Sequence, residues 1–84
     1  MPVVGRFYSI IISMNPLDSE HNPPHVHVSY NEFKAIINIK NCELLKGKLP
    51  KNALRLALEF VKQHKDELLS MWSNQEFKLL DFKE

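Results

Sequence analysis

The chain has 84 residues, of which 44% are hydrophobic and 25% charged, and carries a formal net charge of +1. Those figures describe one small globular domain over residues 1–84 and exclude a chain too polar to bury a core. They also exclude a membrane-spanning helix, because no apolar run approaches the length of a span, and an intrachain disulfide, because Cys42 is the single cysteine.

A lone thiol, and an N-terminus without the basic region and long apolar core of a leader, point to the cytoplasm. A core this small is marginal by itself, so a homodimer or a dedicated partner protein is expected.

Residues 5–14, rich in β-branched and aromatic types and closed by Asn15-Pro16, suit one strand that is apolar on both faces. An acidic segment without period follows, from Met14 to Glu20. Next comes Glu20-His21-Asn22-Pro23-Pro24-His25-Val26-His27-Val28, which holds three of the four histidines. Adjacent prolines fix φ and exclude helix, so the chain enters position 25 extended and begins a second strand over 25–30. Asn31-Glu32 fits a two-residue turn in which Asn tolerates positive φ, and a third strand follows over 33–40. A short fourth strand is predicted over 42–46, ending at Gly47.

From Pro50 the period changes to 3.6, with Leu54, Ala57, Leu58, Val61, Leu68 and Trp72 on one stripe. This predicts a single helix over 50–74, with Phe60 and Trp72 as core residues and His64 half-buried beside the stripe. The tail, 75–84, carries Phe77, Leu79, Leu80 and Phe82, enough apolar surface to dock as a short strand or to bind a partner. The expected fold class is α+β: a small antiparallel sheet of three to four strands packed on one long C-terminal amphipathic helix.

Alternation places His25 and His27 on one strand face and the neighbouring valines on the other. With the valines in the core, the histidines face the open side of the sheet, where Arg6, Tyr8, Lys34 or Asn38 are candidate neighbours. One chemistry that fits is metal binding, with His25 and His27 converging on zinc or another divalent ion and a third ligand, His21, Asp18 or Glu20, from the preceding loop. Another is metal-free acid–base catalysis on RNA, in which His25 and His27 exchange protons with substrate and Arg6 or Lys34 balances phosphate charge. The plain alternative is structural: His21 and His25 bracket the Asn-Pro-Pro turn and hydrogen-bond its backbone. Lysines gather at 34, 40, 46, 48 and 51, and Lys34 and Lys40 are the candidate nucleic-acid contacts, unless these side chains form only a solvated edge.

The motifs Arg6-Phe7-Tyr8, His21-Asn22-Pro23-Pro24-His25-Val26-His27-Val28, Gly47-Lys48-Leu49-Pro50, Ala53-Leu54-Arg55-Leu56 and His64-Lys65-Asp66-Glu67-Leu68 resemble the family described as domain of unknown function 4160. The resemblance covers nearly the whole chain, and His-Asn-Pro-Pro-His-x-His is its most specific part. It implies a small prokaryotic protein encoded beside another small domain, in an arrangement like a toxin–antitoxin pair, with no settled activity to transfer. The reading is a toxin component directed at RNA, with His25 and His27 as the acid–base or metal-binding pair and Arg6 as a phosphate contact. The alternative is a non-enzymatic, antitoxin-like or regulatory module that touches a partner protein or DNA.

Overall fold

A computed structural model describes residues 2–14 and 23–82 of the chain. Five strands, β1 (Val3–Phe7), β2 (Ile10–Ser13), β3 (His25–Tyr30), β4 (Phe33–Asn38) and β5 (Glu43–Gly47), form one sheet in sequential order. Each pairs antiparallel with the next. Two helices, α1 (Lys51–Gln63) and α2 (Lys65–Asn74), complete an α+β architecture without a helix long and apolar enough to cross a membrane, among the described residues.

The apolar segment at 5–14 folds as a hairpin rather than as one strand. Tyr8 and Ser9 take left-handed backbone, with φ of 46° and 65°, and reverse the chain between β1 and β2. Neither residue is a turn former of the Gly or Asn type, so composition carried no sign of the reversal. At Asn31, by contrast, the φ of 53° agrees with the turn predicted there.

The helical segment also divides, at His64, whose φ of −117° and ψ of 23° leave the helical region. No Pro or Gly marks the break. Its cause is tertiary: the His64 ring donates from Nε2 to the Asp81 carbonyl, and its Nδ1 lies 3.1 Å from Glu67 Oε1. Asp66 and Glu67 in the first turn of α2 then favour a new helix start, because carboxylates complement its positive end.

The helices cover one face of the sheet. Ile10, Ile12, Val26, Val28 and Ile37 point into that layer, each 1% exposed or less. The helical stripe is turned from the expected one: Ala53, Ala57, Phe60 and Val61 face the sheet, while Leu54 and Leu58 stay half-buried at the flank. The two alanines let α1 approach closely, and Phe60 lies over Gly5, where a Cβ would fall 2.5 Å from the ring. The tail docks along the outer edge of β1 by a single parallel bridge, Leu80 to Gly5, with the Leu80 amide donating to the Val4 carbonyl at 2.8 Å. Phe82 stacks on Phe7, ring centroids 4.4 Å apart. At the other edge, β5 is exposed throughout, and a register shift at Leu45 and the charged Lys46 discourage pairing with another sheet.

Candidate functional site: a groove on the uncovered sheet face

Cross-strand partners share a face, so the register defines what the uncovered side presents. One row runs Ser13, His27, Ile36, Lys46 across β2 to β5, and the adjacent row runs Arg6, Ile11, Ser29, Lys34 across β1 to β4. Together with Val3 these rows line a groove of about 550 Å³, with Arg6 exposed at the end of its row beyond the groove wall. The floor is aliphatic, from Val3, Ile11 and Ile36, and the polar groups are an imidazole, two hydroxyls and two ammonium groups. No carboxylate stands among the described lining residues, so the groove presents hydrogen-bond donors and positive charge.

Gly47 sets the position of Lys46. Its φ is +89°, and a Cβ there would lie 2.2 Å from the Lys34 carbonyl oxygen. Only glycine permits that approach of β5 to β4, which the Lys48 amide secures by donating to the same carbonyl at 3.0 Å. Lys34 and Lys46 are thereby held on adjacent strands over one groove.

The two histidines named from the sequence have different surroundings. His27 is half-buried and lines the groove. His25 is 4% exposed, its ring centroid 5.0 Å from that of Trp72 in α2 and 5.2 Å from that of His27. Its Nδ1 lies 2.9 Å from the Pro23 carbonyl, which can only accept, so the proton sits on Nδ1. His25 therefore closes the end of β3 against the helical layer and supports His27 from behind.

Of the remaining candidates, Asn38 is buried, and its side-chain oxygen accepts from the Lys40 amide at 2.8 Å, which commits it to the turn before β5. Lys40 lies in that turn, six positions from Lys34 and outside the groove, so the lysine pair picked from sequence does not share a surface site. His21 and the acidic residues Asp18 and Glu20 fall outside the described residues. Among those described, no three His, Cys, Asp or Glu side chains converge as metal ligands do. Sequence reasoning passed over Ser13, and the lysine cluster it noted did not single out Lys46; only the register brings those two beside His27, whereas Ser29 shares its face by alternation along β3.

The fold and the groove define a small α+β protein with an antiparallel meander, helices on one face and a donor-lined site on the other. The chain belongs to the family described as domain of unknown function 4160, whose model matches residues 9–73. Among curated proteins and among solved structures, none matches the chain.

Proposed function

We propose that this protein is the RNA-directed toxin component of a toxin–antitoxin module and that it works through the groove on its uncovered sheet face. The observation that carries this reading is the lining: His27, Ser13 and Ser29 beside Lys34 and Lys46, with no carboxylate among the described residues to repel a phosphodiester. A volume of about 550 Å³ suits a short single-stranded segment, and a flexible strand can offer a 2′-hydroxyl to an imidazole. In this reading His27 takes the 2′-hydroxyl proton as that oxygen attacks phosphorus. The bond from phosphorus to the 5′ oxygen breaks, leaving a 2′,3′-cyclic phosphate, and water protonates the departing oxygen. Lys34 and Lys46 offset the charge that grows on the phosphoryl oxygens. His25, buried against Trp72, positions His27 and does not itself reach substrate, and Arg6 extends the phosphate track past the groove.

The test is tightly induced expression in bacteria of the wild-type chain, His27→Ala and the His25→Ala/His27→Ala double variant, followed by growth and total-RNA integrity. Growth arrest with RNA breakdown in the wild type alone is the expected outcome. Normal growth and intact RNA with soluble wild-type protein would overturn the reading. A second reading draws on the aliphatic floor of Val3, Ile11 and Ile36, which a phosphodiester does not need. It makes the chain a non-enzymatic, antitoxin-like or regulatory module whose groove receives a partner protein, and it predicts that His27→Ala leaves growth and RNA unaltered.

A further inference from the structure

Charge is laid out differently along the two directions of the uncovered sheet face. Along the strands, carboxylates stand beyond both ends of the groove: Glu32 in the turn between β3 and β4, and Glu43 opposite Asn38, one row past His27 and Lys46. Across the strands, the ends are basic. Arg6 heads one row on β1, Lys34 ends that row on β4, and Lys46 ends the adjacent row on β5. All three are exposed, and none is ion-paired among the described residues. Between them lie uncharged Ile11 and Ser13 on β2, and Ser29 and the imidazole of His27 on β3. Sequential strand order sets β1 apart from β4 by three spacings, which at about 4.8 Å each puts the Arg6 backbone about 14 Å from that of Lys34.

This layout distinguishes two paths for a polyanion. A chain laid along the strands would meet Lys34 or Lys46 on one flank, run towards a carboxylate at either end and leave Arg6 on the far side of the sheet. A chain laid across them meets a cation at each end and passes His27 midway. We infer that the substrate crosses the strands, and that the site takes an internal segment of single-stranded RNA about four nucleotides long, its outer phosphates on Arg6 and on the Lys34 and Lys46 pair. The inference rests on the RNA reading of the groove and adds to it a direction and a minimum length. A dinucleotide has one bridging phosphate and cannot engage both basic ends. A tetranucleotide has a phosphate for each end and a central one beside His27, the linkage that would be cut. No Phe, Tyr or Trp lines the groove among the described residues, so bases have no stacking platform there, and length rather than sequence governs affinity.

The experiment is an amide NMR titration of the full, nitrogen-labelled chain, which reads weak binding and reports folding in the same spectrum. The probes are di-, tetra- and hexauridylates with 2′-deoxy sugars to block cleavage and no terminal phosphate. The wild type should bind the tetranucleotide about tenfold or more tighter than the dinucleotide, with little further gain for the hexanucleotide. Only the two longer probes should shift the amides of β1. Arg6→Gln should erase most of the gain with length, and Arg6→Lys should keep it, since a phosphate needs only the cation. Lys62→Gln on α1, the same loss of charge, should keep it as well. A dinucleotide as tight as the tetranucleotide would overturn the inference and leave the RNA reading standing. So would a gain as large again from tetra- to hexanucleotide, or equal losses at both lengths in Arg6→Gln. Absence of binding at every length would overturn the RNA reading, and this inference with it.

Discussion

Gly47 joins backbone conformation to the groove through a single missing atom. Gly47→Ala would combine an L-residue at φ +89° with a Cβ placed 2.2 Å from the Lys34 carbonyl oxygen and 2.7 Å from the Ala35 Cα, both backbone atoms that cannot rotate aside. The β5 strand must then move off β4. We expect a loss of about 2 kcal/mol or more in urea denaturation, from the left-handed penalty plus the displacement. The groove should also lose affinity for any anion that needs both Lys34 and Lys46. An unchanged urea midpoint would show that β5 is free to shift at no cost. The sequence showed a glycine closing a short strand, and it could not show that the position across from it is Ala35, with the Lys34 carbonyl pressed against it, because pairing is a property of register. The same limit applies to Ser13, an ordinary strand residue until β2 is placed beside β3.

At the scale of elements, what was legible followed period and turn chemistry. The alternation His-Val-His-Val, the Asn31 turn and the change to period 3.6 after Pro50 correspond to β3, the turn into β4, and α1. What was illegible depended on distant contacts. The reversal at Tyr8-Ser9 lacks glycine, and the break at His64 goes with the bond of its ring to the carbonyl of Asp81, far along the chain, rather than with a Pro or Gly at the position. That break suggests how the tail is held. The His64 ring, 6% exposed, reaches the Asp81 carbonyl, while Leu80 bridges β1 and Phe82 stacks on Phe7. His64→Ala should cost about 1–3 kcal/mol, the usual range for stranding buried hydrogen-bond partners. Its specific mark would be faster hydrogen exchange at the Leu80 amide, which donates to the Val4 carbonyl, with the β3 and β4 amides unaffected. If Leu80 stays protected in the variant, the stack of Phe82 on Phe7 holds the tail without the histidine. The interruption between α1 and α2 would then need a cause other than the pull of His64 on the tail.

For the whole molecule, a formal charge of +1 predicts no general attraction to nucleic acid, so an RNA-directed role must come from where the charges lie. The sheet gathers Lys34 and Lys46 over one groove and leaves Lys40 in a turn beyond it. This asymmetry can be read thermodynamically. Each phosphate neutralised on a single strand releases counterions and steepens the fall of log K with log salt by about 0.7. With a short single-stranded RNA carrying 2′-deoxy substitutions to prevent cleavage, Lys34→Gln and Lys46→Gln should each weaken binding and flatten that slope by about 0.7. Lys40→Gln, the same change in net charge, should leave both affinity and slope close to wild type. Because the three variants carry identical total charge, a uniform loss across them would mean a diffuse, non-specific field. A loss confined to Lys34 and Lys46 would instead locate the phosphates in the groove. Ser13→Ala and His27→Ala add a second axis to the comparison: they leave the lysines in place, so they can lower affinity through lost hydrogen bonds while the salt slope stays where it was.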